Sequence, residues 1–410
     1  MSNIFTLLNL LCRPDLAAGT DLLDSYQKAF AQIIVGNGSV PSLAFWRGRV
    51  ALWTILRAAD LSKDDEVILP AYTCEMVPAA VKFNGARCVY VDVEPNRLNP
   101  SVQQVAGSIT KRTRAVICQH TYGIAQPVQD FASLTTGRPI TLIEDCCQLI
   151  SRDSCYGGIA TTGDAVFFST QWSKPFSTGL GGMAVFFNHD LYAASRQLLA
   201  TFSGEQDQKR ARSLALQVLL HKLAVRPRTR ALVARLYRWA QSTGMIQGTT
   251  TREEYGADIP SSYLAGAVNV QAVLGMEQLH QWQENVEHRR MLTEFYLERL
   301  AELGVGITPM KIGSDKPVLW AVPLFVENVS EILGQAGRSG LPIASWFGPP
   351  PLHIVLPTAK RYDYRTGQCP RSEWMVAREI HLLTSLGVTL RQAEKAIKLI
   401  KKYGRIADFQ

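Results

Sequence analysis

Between residues 66 and 188 six short apolar, β-branched runs recur: "EVILP" (66–70), "RCVYVDV" (87–93), "TRAVICQ" (113–119), "PITLIED" (139–145), "DAVFFS" (164–169) and "GMAVFFN" (182–188). The runs are continuous rather than alternating, the pattern of strands buried on both faces. Helix-like stretches lie between them, including "VALWTILRAADL" (50–61) and "CEMVPAAVKFNG" (74–85), the second closed by Gly85. Strands alternating with helices demand crossover connections, so the reading is α/β with a mostly parallel central sheet. In such sheets ligands gather beyond the carboxyl ends of the strands. The residues just after each run are therefore the ones to search for chemistry.

The character changes after Asn188. Residues 189–245 read as helical and basic, and 264–304 as one long amphipathic helix with at most one break. A strand, "WAVPLFV" (320–326), a Pro-rich loop and a closing helix, "TLRQAEKAIKLIKKYG", follow. At 410 residues the chain exceeds one simple core. The expected organisation is an N-terminal segment (1–40), a large α/β domain (41–260) with a basic helical insertion at about 204–245, and a long helix with a small α+β domain (261–410).

A hydrophobic fraction of 47% with 19% charged residues describes a compact soluble chain. The net charge of +8 is local: Gly204 to Ala240 holds nine Lys/Arg against Glu205 and Asp207. A basic stretch without a recognition motif gives no reason to expect nucleic acid. Residues 208–240 read as a solvated helix pair or dimer contact, or as a basic amphipathic hairpin that rests on an anionic membrane or binds a phosphorylated substrate, with Pro227 splitting it in two. The eight cysteines lack metal-ligand spacing, and Cys88 and Cys118 lie inside strand runs, so neither disulfides nor a metal is expected. No signal peptide and no apolar span is read, which places the protein in the cytoplasm, with peripheral contact at the inner membrane face as a secondary reading.

Three features carry chemistry. "TLIEDCCQ" sets Glu144 and Asp145 at a strand end, where Asp serves equally as a helix N-cap. Lys174, in "STQWSKPFSTGLGG", follows the next strand; a buried lysine with a depressed pKa suits Schiff-base chemistry. "FWRGRVAL" places Gly48 and Arg49 at a helix start, whose N–H groups suit a phosphate, and Ser169 adds a hydroxyl. Phosphate cradle, carboxylate and lysine together fit pyridoxal 5′-phosphate (PLP), whose ring draws off carbanion charge when its nitrogen is held protonated.

The ordered motifs "RGRVAL", "DEVILPAYTC", "GARCVYVDVEPNRLNP", "ITKRTRAVICQHTYG", "IEDCCQ" and "GDAVFFSTQWSKPFSTGLGG" resemble the DegT/DnrJ/StrS-type (nucleotide-sugar) aminotransferases. That resemblance implies PLP fold type I, the aspartate aminotransferase-like architecture. It matches Lys174 to the lysine that bonds the cofactor and Asp145 to the partner of the pyridine nitrogen. Gln148 matches the residue near the ring's 3′-oxygen; Gly48, Arg49, Val50 and Ser169 match phosphate contacts. Cys74 takes the place of the aromatic that stacks on the ring, and His120, in "H-x-x-G" with Tyr122, falls beside the cofactor or is a satisfied core histidine. Cys146 and Cys147 stand where relatives carry small residues.

The resemblance also implies a homodimer with shared active sites. The family's Asn-x-Arg element, which reaches the partner's phosphate, should precede "VQAVLGMEQL"; this chain has "SSYLAGAVN" there. The expected activity is amino transfer from Glu or Gln to a keto acceptor, a nucleotide-linked keto-sugar by resemblance. Alternatives are a non-sugar ketone or a dehydration on the same scaffold, and, from another class, a PLP-retaining regulatory or non-catalytic protein.

Overall fold

The computed structural model describes residues 20–150, 160–202, 204, 207–224, 239, 259–304, 318–346 and 362–407. Helix α1 (Thr20–Phe30) leads through a π turn into strand β1 (Ser42–Phe45) and helix α2 (Gly48–Ala58). Next come β2 (Glu66–Pro70), α3 (Met76–Phe83), β3 (Arg87–Val91), α4 (Val102–Ser108), β4 (Thr113–Gln119), α5 (Val128–Thr135) and β5 (Thr141–Asp145). β6 (Ala165–Ser169) and β7 (Gly182–Phe186) precede α6 (His189–Ala200), α7 (Asp207–Ala224), α8 (Asn269–His280) and α9 (Trp282–Glu302). The last stretch holds β8 (Ala321–Phe325), α10 (Val329–Ser339), β9 (Ile343–Ala344), α11 (Pro370–Arg378), β10 (Glu379–Leu383) and α12 (Leu390–Tyr403).

The larger sheet has seven strands in the order β1-β7-β6-β5-β4-β2-β3. β2 pairs in parallel with β3 and β4, and β4 with β5, while β1 runs antiparallel to β7. β8, β10 and β9 form a small antiparallel sheet with β10 at its centre. The expected α/β architecture with a smaller C-terminal α+β part is the observed one.

The chain divides into two compact units, Met1–Ala58 with Phe167–Gln281, and Ala59–Val166 with Trp282–Gln410. In the first, α1 is a core element: Phe30 meets Phe168 and Phe176 edge-on, at 5.0 and 5.3 Å between ring centroids. α7 buries Ala211, Leu214, Ala215 and Val218 among Trp46, Leu180, Val268 and Leu274. Leu214 and Val218 each contribute about 1.5–3 kcal/mol when fully buried, and the alanines less. One apolar face of this basic helix is therefore spent on the core, while Leu216, Leu219 and Leu220 are half-buried. The Pro227 break, and all of 225–245 apart from Trp239, fall outside the described residues.

In the second unit one core lies against the sheet, where Ile68, Val116, Cys118 and Leu142 meet Val105, Val128 and Phe131 from α4 and α5. Another joins Leu292, Tyr296 and Leu300 of α9 to Val322, Leu324, Ile380 and Leu382 of the small sheet and Ile397 of α12.

β2 and β4 match the sequence reading residue for residue. β3 stops two residues early because Asp92 turns its carboxylate to the N–H groups of Arg371 and Ser372 and to the Ser372 hydroxyl. The long helix read over 264–304 is two helices, parted at Gln281.

Candidate active site

In the second unit the carboxyl end of β5 presents Glu144 and Asp145, both buried. Glu144 is a structural clamp. Its Oε2 accepts the Ala160 N–H at 2.8 Å and its Oε1 the Gly163 N–H at 3.0 Å, which fastens the chain returning toward β6. His120, fully buried at the end of β4, faces the same carboxylate through Nε2 at 3.3 Å. Its Nδ1 accepts the Gln126 N–H at 3.2 Å, so the ring proton is assigned to Nε2. Both nitrogens of His120 are thus spent inside the protein, as in a satisfied core histidine.

Asp145 accepts the Cys147 N–H at 2.9 Å through Oδ1. Three residues on, Gln148 accepts the Tyr122 N–H at 2.5 Å through Oε1. Its Nε2 is buried and has no hydrogen-bond partner among the described residues. A buried donor without an acceptor is costly, by about 1–3 kcal/mol, and marks a place where a ligand acceptor fits. Tyr122 reaches this position through a left-handed backbone at φ 57°, unusual for an aromatic residue.

Cys146 is buried, and desolvation, reinforced by the Glu144 and Asp145 charges, pushes its thiol well above the ordinary range. Cys74 and Cys147 are half-buried. The described cysteines, Cys74, Cys88, Cys118, Cys146, Cys147 and Cys369, are free thiols. His120, Glu144 and Cys146 bring potential metal-binding atoms within 4.8 Å of one another. Both Glu144 oxygens already accept amide N–H groups, from Ala160 and Gly163.

In the first unit Lys174 lies in the turn after β6, where its N–H donates to Gln171 O at 2.9 Å. It is half-buried rather than buried, because it stands beyond the strand and not within it. The turn is closed by Thr170, whose N–H donates to Gly181 O and whose hydroxyl meets the Thr178 hydroxyl at 2.7 Å. Gly179 and Gly181 take φ of 85° and 156° here, which favours glycine.

At the start of α2, a Cβ added to Gly48 would stand 2.7 Å from Ser169 Cβ. A Cβ on Gly182 would stand 2.5 Å from Gly48 Cα. The helix N-terminus, the Ser169 hydroxyl and β7 therefore meet only because two side chains are missing. Val50 is different: its N–H donates to Arg47 O at 3.1 Å, so this expected phosphate contact is spent within the helix.

A further buried group escaped the sequence reading. Glu379 on β10 accepts the Tyr122 hydroxyl at 2.6 Å, the Ser345 hydroxyl at 2.9 Å and the Trp346 N–H at 2.9 Å, and lies 2.6 Å from His381 Nδ1. Trp320 stacks on Tyr122 at 5.8 Å, and its N–H donates to Tyr122 O. Burial, then the Glu379 charge, pushes the Tyr72 and Tyr122 hydroxyls well above their ordinary range. The only sequence signal was an acid and a histidine in alternate positions of "EIHLL".

The model of the DegT/DnrJ/EryC1/StrS aminotransferase family matches residues 19–401. The chain belongs to this family. Among characterised relatives, the GDP-perosamine synthase of Escherichia coli O157:H7 is 35% identical over 147 residues, 35% of this chain and 40% of that protein. A dTDP-4-dehydro-2,3,6-trideoxy-D-glucose 4-aminotransferase of Saccharopolyspora spinosa is 32% identical over 151 residues, 37% of this chain and 39% of the relative. These matches span about two fifths of the relatives' own length. The fold is shared with an aminotransferase of Streptoalloteichus hindustanus at a TM-score of 0.70 and 19% identity, covering 98% of this chain and 96% of that one.

The cofactor of this family member is PLP. Each unit by itself holds a feature that fits part of it: in the second, the orphaned Gln148 Nε2 is a donor suited to a ring oxygen, and in the first, the side-chain-free approach of Gly48 to Ser169 suits a phosphate.

Proposed function

We propose that the protein takes an amino group from L-glutamate or L-glutamine and delivers it to the keto group of a nucleotide-linked sugar. Both curated relatives named above carry a sugar joined to a nucleoside diphosphate in their names, and one is named as a 4-aminotransferase. When bound, PLP supplies an electron sink for the carbon that loses its proton. Lys174 would hold the cofactor through Nζ and, once its amine is freed, would serve as the general base that takes the proton from the donor's α-carbon and as the acid that gives it back. Asp145 holds a proton at the pyridine nitrogen, and Gln148 Nε2 donates to the neighbouring ring oxygen. Gly48, Arg49 and Ser169 bind the phosphate, while Cys74 and His120 border the ring.

The observation that carries this reading is Gln148, three residues after Asp145, whose buried Nε2 has no hydrogen-bond partner among the described residues. The reading includes a homodimer with shared sites, which rests on the family resemblance and is tested by sedimentation equilibrium. No described helix is long and apolar enough to cross a membrane. In the described part of 208–240, Ala211, Leu214, Ala215 and Val218 are buried, whereas Trp239 is 57% exposed.

The test is a screen of keto acceptors against protein first treated with L-glutamate. Return of the visible cofactor band with a nucleotide-linked keto-sugar, and an aminated sugar by mass spectrometry, is the expected result. Return only with non-sugar ketones contradicts the substrate class. Retention of cofactor with no spectral response to either donor points to a regulatory protein.

A further inference from the structure

Tyr122 and Gly123 stand one after the other in left-handed backbone, at φ of 57° and 87°. Glycine adopts this freely, whereas an aromatic residue does so only where its surroundings over-determine it. Gln148 meets the turn twice. Its Oε1 accepts the Tyr122 N–H at 2.5 Å, and a Cβ added to Gly123 would stand 3.0 Å from its backbone oxygen. The place of the Gln148 amide, and with it the buried Nε2, is therefore set by this turn.

Tyr122 is held on every side. Its carbonyl accepts the Trp320 N–H at 2.9 Å. Its ring stacks on Trp320 and meets Trp346 edge-on, each at 5.8 Å between centroids. Its hydroxyl donates to Glu379 Oε1 at 2.6 Å. The Tyr72 hydroxyl lies 3.1 Å away, and because the one Tyr122 hydroxyl proton goes to Glu379, Tyr72 donates to Tyr122. Glu379 Oε1 also meets His381 Nδ1 at 2.6 Å, while Oε2 accepts the Ser345 hydroxyl and the Trp346 N–H, both at 2.9 Å. Four donors saturate a carboxylate. Glu379 is completely buried, and all these residues belong to one compact unit. A buried polar network satisfied in this way is rigid and specifies a single arrangement.

We infer that Glu379, acting through the Tyr122 hydroxyl, is a positioning residue for Gln148: it locks the left-handed turn that seats the amide and leaves Nε2 for a ligand oxygen. The inference rests on the cofactor reading above, in which that oxygen belongs to the PLP ring. A carboxylate of the small C-terminal sheet thereby governs how well one atom of the cofactor is recognised. The Tyr122 hydroxyl itself is spent on Glu379, so its part is indirect.

The test compares PLP with 3-deoxypyridoxal 5′-phosphate, which lacks the ring oxygen, in binding to cofactor-free full-length protein. The ratio of the two dissociation constants reads recognition of that oxygen apart from general stability. Gln148→Leu, which removes the donor, should lower the preference for PLP about tenfold. Tyr122→Phe and Glu379→Gln should lower it about threefold or more, and Tyr122→Phe, the gentler change, keeps the test decisive where Glu379→Gln unfolds the chain. Ser345→Ala removes a donor from Oε2 but leaves the Tyr122 link on Oε1, and should keep the wild-type ratio. A wild-type ratio in Tyr122→Phe beside a reduced one in Gln148→Leu overturns the inference. An equal loss in Ser345→Ala also overturns it, because the effect then follows general loosening. A ratio unmoved by Gln148→Leu shows that Nε2 does not meet the ring oxygen, and removes the basis of the inference. Wild-type protein that binds neither compound defeats the cofactor reading itself, and this inference with it.

Discussion

Gln148 gives its amide oxygen to the Tyr122 N–H at 2.5 Å and keeps its amide nitrogen buried without a partner among the described residues. One side chain thereby fixes a left-handed turn on one side and leaves a donor for a ligand on the other. Gln148→Leu should cost about 1–2 kcal/mol by orphaning the Tyr122 N–H, measured by urea denaturation. The stabilisation that added PLP gives the wild type should shrink in the variant. An undiminished PLP effect would show that Nε2 is not a ligand donor.

Glu379 is predicted to be indispensable to the small sheet. Glu379→Gln replaces one acceptor oxygen by a donor that faces hydroxyl or N–H groups already donating. The loss should be about 2 kcal/mol or more in denaturation measurements. A loss below the error of the method would mean that the network rearranges freely.

The glycines at the cradle make a steric prediction. Gly182→Ala directs a methyl to 2.5 Å from the Gly48 Cα, and backbone cannot swing aside as a side-chain tip can. A destabilisation of about 1–3 kcal/mol is expected, with weakened PLP binding. Gly107→Ala, where nothing lies within 4 Å of the added carbon, is the control and should be neutral or stabilising.

Much of the fold was readable because β2, β4, β5 and β6 are apolar runs with abrupt ends. Asp145 and Ser169 close such runs, and Lys174 follows one, so those strand-end positions could be read from local sequence. β10 could not be read that way. It is buried at the centre of a sheet, yet it carries Glu379 and His381, whose partners lie hundreds of residues away in sequence or in the Trp346 turn. α1 was passed over as an N-terminal segment because its role depends on Phe168 and Phe176, far along the chain. The orphaned Gln148 nitrogen is likewise a product of folding, with no local signature.

Alkaline pH should unfold the protein early. Burial raises the thiols of Cys118 and Cys146 well above the ordinary 9.0, and that of Cys369 to about 12. It also raises the hydroxyls of Tyr72, Tyr90 and Tyr122 above 10.0. Groups that titrate higher in the folded state stabilise it fully below their unfolded values. That stability is lost as pH climbs from the unfolded toward the folded values, because only the unfolded chain gives up protons. Urea midpoints should therefore fall progressively from about pH 9 upward. A flat profile through pH 11 would contradict this.

The central claim is amino transfer that depends on Lys174. The direct measurement is 2-oxoglutarate released in a single turnover when PLP-loaded protein meets L-glutamate, with 2-oxoglutaramate release from L-glutamine assayed in parallel. The account predicts about one keto acid per bound cofactor from the wild type and none from Lys174→Ala at equal cofactor loading. Keto acid from Lys174→Ala at the wild-type rate, or none from the wild type with either donor, would contradict it.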